Sequence, residues 1–369
     1  MKIAITSKFT SSFFSNGLNQ NLVLLYECLE QCGFEVYFLD FTNKNNNEVL
    51  NEHFFLKNKN ILNWSEFQDS TLKIDMLLCP GVSANSDIKK CLKLKNPFVK
   101  FVAVKYGNNL ITDSHKFFLS KTPKYYSMDS DRKMDHVLYS PHYKFQSQYF
   151  EFTERAPSSE IPYIWDPKFI EFESNNLSID PTFKPCEKPN IAVVEPNLNI
   201  SKTSFIPFLS IVNLIEKKLS NKFNHAYIFS SKDNIDYTDL AKYLYKHTEL
   251  KENRGKIFFD QREKVPMILS RDNPIILSHQ FYNELNYVYL EAIYYNYPLV
   301  HNSDAFRDYG FYYNGFNIED ASNQLLAAVE KTKDWPSKTP HIGSHLIEKY
   351  SINQNKNKIK KILLDIKND

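Results

Sequence analysis

The residues best suited to chemistry lie in one run, Ser278–Ser303, SHQFYNELNYVYLEAIYYNYPLVHNS. Its start reads as the exit of a buried strand. A short polar loop, a helix from about Glu284 to Tyr297, and a strand over Leu299–His301 behind Pro298 should follow. Leu285, Val288, Tyr289, Ala292 and Ile293 recur at helical spacing and form the packed stripe. Glu284 and Glu291 lie on the same predicted helix, roughly 20° apart around its axis at 3.6 residues per turn. The first would stand where unpaired N–H groups and the helix dipole favour a diphosphate; the second would reach a ribose diol. An amphipathic helix with two solvated glutamates is the plain alternative. His279, just past the strand, is a candidate ligand to phosphate or sugar.

Other candidates sit where strands meet loops. Glu195 ends the strand Ile191–Glu195, and Asn197 and Lys202 follow it, although a lone loop lysine is ordinarily just solvated. Gly17 closes the first strand-to-helix loop with Asn16, and Gln20 and Asn21 open the helix behind it, either as ligands or as a simple turn and cap. Lys105-Tyr106-Gly107-Asn108 follows an apolar strand, and His142 lies in Ser-Pro-His-Tyr beyond another. Asp129-Ser-Asp131 spells a metal-diphosphate motif, but no strand precedes it, so a solvated loop is the better reading and no bound metal is required.

The elements that must position these residues come in two sets. Lys2–Thr6 is a strand, a helix carries Leu18, Leu22, Leu25, Leu29 and Cys32 on one stripe, and Glu35–Phe41 is the next strand. Strand–helix–strand with a glycine at the helix end is the unit of a parallel sheet. Further strands are expected at Ile74–Cys79, Phe98–Val104 and His136–Tyr139. Five prolines fall between 162 and 189, where periodicity is lost. Behind them the alternation restarts with Ile191–Glu195, a helix over Phe205–Leu219, Ala226–Ser230, Lys256–Phe259 and Ile275–Ser278. The expected organisation is an α/β fold of two Rossmann-like domains, 1–165 and 190–369, joined by a proline-rich linker at 166–189 and facing a central cleft.

Bulk properties narrow the class. A chain of 369 residues with a formal charge of +2 has no field to recruit nucleic acid globally, and it carries few arginines for reading bases. No Walker A or dinucleotide Gly-x-Gly-x-x-Gly occurs, which weighs against a nicotinamide enzyme. The five cysteines are odd in number and lack metal-ligand spacing; Cys28 and Cys32 share a helix face, as packing residues do. This reduced pattern, an N-terminal apolar run too short for a signal peptide, and the lack of any membrane-length apolar stretch lead to the expectation of a cytoplasmic protein with at most peripheral membrane contact.

The run at 278–303 resembles the donor-binding segment of retaining GT-B glycosyltransferases, in which Glu, seven residues and a second Glu precede Gly-x-Pro and a strand. The resemblance implies that Glu291 holds the ribose. Asn283 falls where the family has its first Glu, against the transferred sugar or its phosphate, with Glu284 beside it. Asn286 replaces a glycine near the diphosphate. Lys202 takes the place of a basic residue that neutralises the diphosphate as it leaves, and the loop at Asn16-Gly17 would face phosphate and acceptor. A closer resemblance is to a smaller bacterial family of glycosyltransferase-like proteins. It is carried by Asn16-Gly17-Leu18-x-Gln20-Asn21, Lys105-Tyr106-Gly107-Asn108, Ser140-Pro141-His142, Pro162-Tyr163-Ile164-Trp165-Asp166-Pro167, Glu195-Pro196-Asn197 and Leu285-Asn286-Tyr287 through Ser303. What this implies is a glycosyltransferase with a nucleoside-diphosphate sugar, such as a UDP-sugar, as donor. The acceptor would be a glycan, protein, small molecule or modified DNA. A sugar epimerase and a catalytically silent GT-B binding protein are the rivals, the second because Asn283 departs from the family's acid.

Overall fold

Short apolar runs with helices between them have one economical solution, a parallel sheet buried on both faces, and the chain adopts it twice. The computed structural model describes residues 1–9, 17–41, 54–80, 82–119, 133–197, 200–231, 246, 248–335 and 340–369. It divides into two units, Met1–Asp166 with Lys349–Asp369, and Pro167–Glu348.

In the first unit β1 (Lys2–Ser7), β2 (Glu35–Asp40), β3 (Ile61–Asn63), β4 (Met76–Cys79), β5 (Lys100–Lys105), β6 (His136–Tyr139) and β7 (Ser158–Glu160) form a parallel sheet in the order β3-β2-β1-β4-β5-β6-β7. Register is continuous across its centre, with Ile3 opposite Val36 on one side and Met76 on the other. Every residue of β4 is buried, as expected of a strand covered on both faces. The helix Gly17–Gln31 returns the chain from β1, and Gly33 turns it into β2 with a φ of 81° that glycine adopts without a Cβ penalty. Cys28 and Cys32 are buried free thiols in this packing.

The second unit repeats the plan. β8 (Asn190–Val193), β9 (Ala226–Ile228), β10 (Ile257–Phe259), β11 (Pro274–Leu277), β12 (Leu299–His301) and β13 (Phe311–Tyr312) are parallel in the order β10-β9-β8-β11-β12-β13. The strand order reverses between β8 and β11, and the crevice beyond the carboxyl ends of such a strand pair is where doubly wound sheets take their ligands.

Two sequence expectations are corrected here. The sequence places all of 190–369 in the second domain, but Lys349–Asp369 belongs to the first unit. The helix Ile352–Asn368 buries Ile359, Leu363 and Ile366, and the thiol of Cys32 lies 3.2 Å from the Lys356 carbonyl, so the C-terminal stripe is held by the first unit. The segment expected to be a linker also contains a helix, Lys168–Asn176. Among the described residues no helix is long and apolar enough to cross a membrane.

Candidate functional site

The exits of β8 and β11 are joined by side chains. Glu195 lies two residues beyond β8 and is buried; Ser278, immediately beyond β11, donates its hydroxyl to the Glu195 carboxylate. Gln280 Nε2 donates to both carboxylate oxygens, at 3.1 and 3.0 Å. Asn283 Nδ2 then donates to Gln280 Oε1 at 3.0 Å. The Tyr289 hydroxyl stands 3.0 Å from Ser278 Oγ, which brings the following helix into the same network. Asn302, beyond β12, accepts the Gln280 N–H and donates to the Gln280 carbonyl, both at 2.8 Å. Three strand exits are thereby fastened around one carboxylate.

Burial raises the Glu195 carboxyl to about 7, against the opposing pull of Ser278, Lys202 and Gln280. Lys202 is half-buried, and burial lowers its ammonium while Glu195 raises it and Arg262 lowers it further. Lys202, which acts on Glu195, therefore also meets Arg262 as a like charge, a local concentration of positive charge suited to an anion. The sequence did not single out Arg262, Ser278, Gln280 or Asn302 for roles. Three of them, Ser278, Gln280 and Asn302, lie inside the run 278–303, but only strand adjacency gathers them around Glu195.

The helix of this run is shorter than its apolar stripe predicts. It spans Tyr287–Tyr294, with Asn286 at its N-cap in extended conformation and making no side-chain cap hydrogen bond. Glu284 is thus not helical, and its expected stacking above Glu291 on one helix face is corrected. The loop is pinned outside the helix: Ser303 Oγ donates to the Glu284 carbonyl at 3.0 Å, and Asn283 is held by Gln280. Burial raises the Glu284 carboxyl, Asp304 raises it further, and it accepts the Ala305 N–H. Leu285 and Asn286 are buried, and Tyr287 is half-buried at the first helical position. Asn296, with φ of 60°, closes the helix as a left-handed cap: the N–H of Tyr297 reaches the Ala292 carbonyl at 2.8 Å.

Glu291 is half-buried, and burial, with Glu173 as a second cause, raises its carboxyl to about 8. The same helix end places the Tyr294 hydroxyl on Glu171 and the Tyr295 hydroxyl 3.3 Å from Ser174, so Glu291 stands beside the helix Lys168–Asn176. Glu173 is itself 3.0 Å from Lys264. His279 is buried, with Nδ1 3.0 Å from the Tyr313 hydroxyl, and burial lowers its imidazolium to about 4. Asn197, at φ of 53°, fastens loops: Nδ2 donates to the Ser230 carbonyl at 3.2 Å, and Oδ1 accepts the Ser204 N–H and hydroxyl at 2.8 and 2.9 Å.

The first unit gathers its own candidates. Gly17 begins the first helix, and Gln20 and Asn21 are buried in its first turns; Asn16, Asp129 and Asp131 lie outside the described residues. Lys105, at the end of β5, is ion-paired with the fully buried Glu154. Asn108 Oδ1 and Gln146 Oε1 accept the Ile111 and Leu110 N–H groups at 3.1 and 3.0 Å, capping the helix Asn109–Leu119. His142 lies against Tyr143 at 3.8 Å between ring centres, with the rings tilted by 41°.

Two Rossmann-like units in this order place the chain in the GT-B architecture. The crystal structure of a glycosyltransferase from Rickettsia africae ESF-5 is similar at a TM-score of 0.60 and 15% identity, with 99% of this chain and 98% of that one covered. The lipopolysaccharide outer core galactosyltransferase WaaB, in its apo form, is similar at 0.57 and 13%, with 99% of each chain covered. An α-glucosyltransferase in complex with UDP and a 13-mer DNA containing an HMU base is similar at 0.57 and 11%, with 100% of each covered. At such identities the likeness concerns the fold. The chain belongs to the DUF2827 family, described as a protein of unknown function, whose model matches residues 3–361. No curated protein matches the sequence.

Proposed function

We propose that this chain is a glycosyltransferase that moves a sugar from a nucleoside-diphosphate donor, a UDP-sugar, to a hydroxyl acceptor with retention of configuration. The observation that carries the reading is the fastening of β8 and β11 through Glu195, Ser278, Gln280 and Asn283, with Lys202 acting on the carboxylate and Arg262 acting on Lys202. It lies at the point where the strand order reverses, the ligand position of this class of sheet. Lys202 and the N-terminus of the helix Tyr287–Tyr294 would stabilise the departing diphosphate, and Glu291 would hold the ribose. Asn283, already bonded to Gln280, meets the sugar as a neutral amide rather than an acid. Gly17, Gln20 and Lys105-Tyr106-Gly107-Asn108 are the acceptor-side candidates of the first unit. The reading needs no metal.

A thermal-shift panel of UDP, GDP, ADP and their sugars tests it on wild type, Lys202→Met and Glu291→Ala. A ligand that binds only the native state must raise the melting temperature. A shift with one nucleotide, lost in both variants, supports the donor site; a panel with no shift for any nucleotide overturns it. A second reading, transfer to a hydroxylated DNA base, draws on the neighbour bound to UDP and DNA. It requires turnover on such DNA that falls steeply with modest salt.

A further inference from the structure

His279 carries a nitrogen that the rest of the network does not use. The Tyr313 hydroxyl donates its one proton to the Ser278 carbonyl at 2.8 Å, so towards His279 Nδ1, 3.0 Å away, it acts as acceptor. The imidazole proton therefore sits on Nδ1, and Nε2 presents a lone pair. His279 is 1% exposed, and among the described residues its buried Nε2 has no hydrogen-bond partner. Burial also holds the ring neutral at ordinary pH. A buried acceptor facing no donor is a destabilising arrangement that a fold tolerates where a ligand supplies the proton.

What surrounds the ring restricts that ligand. Phe316 packs on the imidazole at 4.8 Å between ring centres, tilted by 56°, and is itself 54% exposed. It follows Gly315, which is in the left-handed region at φ of 54° with open space around it. Phe281 lies 5.2 Å from Phe316, and Tyr282 lies 4.8 Å from Phe281. Tyr282 is 54% exposed and holds a φ of 51°, a strained conformation for a non-glycine residue. Two half-exposed rings thus border one buried acceptor, one residue away from Gln280. The inter-ring angles, 56° and 62°, make a faceted rim rather than a parallel slot for a flat base. A ring with C–H faces and hydroxyl edges, a pyranose, matches both features.

We infer that His279 Nε2 and the Phe281–Tyr282–Phe316 rim form the glycosyl subsite of the donor, in which the imidazole accepts a sugar hydroxyl once Phe316 turns aside on Gly315. This deepens the donor-site reading and rests on it. The subsite selects neutral sugars whose hydroxyl reaches the lone pair, because a sugar lacking that hydroxyl leaves the acceptor unpaired.

Calorimetric titration of UDP, UDP-glucose, UDP-galactose and UDP-N-acetylglucosamine tests the inference, with the ratio of UDP-sugar to UDP affinity as the readout. Wild type should favour one UDP-sugar over UDP. His279→Phe, which removes the acceptor, should lower that ratio roughly ten-fold, while His279→Gln, whose amide oxygen reaches the position of Nε2, should recover much of it. Phe316→Ala and Tyr282→Ala change exposed rings and test the rim in variants that keep the buried imidazole. A ratio unchanged in His279→Phe and in both rim variants overturns the subsite while leaving the donor site standing. A wild type that binds UDP and none of its sugars more tightly overturns it too. Failure of UDP itself to bind removes the donor-site reading, and the subsite with it.

Discussion

Gln280 Nε2 reaches both carboxylate oxygens of Glu195, at 3.1 and 3.0 Å, across 85 residues of sequence. This contact ties together the exits of the two central strands of the second unit, β8 and β11, and Asn283 is held to it through Gln280 Oε1.

Replacing Gln280 by Leu leaves a buried carboxylate short of two donated bonds and releases Asn283. Stability should fall by about 1–3 kcal/mol, read from the midpoint of urea unfolding at pH 8. An unchanged midpoint would show that the contact is incidental.

Glu291 has its carboxyl raised to about 8 in the folded chain, above its ordinary range. The folded state then binds a proton more tightly than the unfolded state. The contribution of Glu291 to stability should be fully present below its ordinary carboxylate range, decline as pH rises from there through 8, and level off above it. Glu291→Gln should flatten that decline and be more stable than wild type at pH 8.5 by on the order of 2 kcal/mol, allowing for partial exposure. Parallel stability–pH curves for the two proteins would contradict this assignment.

Lys202→Met removes the cation that acts on Glu195 and that Arg262 meets as a like charge. Affinity for UDP should fall about 10- to 100-fold, and the dependence of binding on salt should weaken, since one fewer cation meets the diphosphate. Titration at two ionic strengths reads both quantities. Removal of the ammonium should also raise the Glu195 carboxyl further, because Lys202 favours its charged form.

The ion pair between Lys105 and Glu154 is nearly solvent-free on both sides. Lys105→Met should destabilise by about 3–5 kcal/mol because it strands a buried carboxylate, whereas Lys105→Met with Glu154→Leu should recover most of the loss. A double-mutant cycle by chemical denaturation separates the outcomes; a double variant no more stable than the single would sink the idea. Lys105 is accordingly a structural cation first, and its use by an acceptor would require Glu154 to share it.

Much of the fold was legible from local pattern. The strands near residues 2, 35, 136, 226 and 299, and the restart beyond the prolines, follow from apolar runs and helical stripes, which are properties of neighbouring residues. The site was legible only as a segment. The apolar stripe carries the helical period back to Leu285, but Ser303 and Gln280 hold the backbone and side chains of 283–284 outside the helix. Periodicity cannot register a competitor that comes from another strand exit. The C-terminal helix Ile352–Asn368 reads equally well as a member of either unit, since an amphipathic stripe does not name the surface that buries it.

The sequence by itself determined the two α/β halves, the donor-like run at 278–303 and the candidate cation Lys202, because residue type and spacing decide which segments form strands and helices. Tertiary structure alone decided that Glu195 would meet Ser278 and Gln280, that Arg262 would act on Lys202, and that His279 would keep Nδ1 for Tyr313 and leave Nε2 unpartnered among the described residues. The physical reason is the order of strands in the second sheet. Pairing β8 with β11 brings Pro274 opposite Asn190 and closes a long separation in sequence, a choice made by the burial of whole strands and by no local preference.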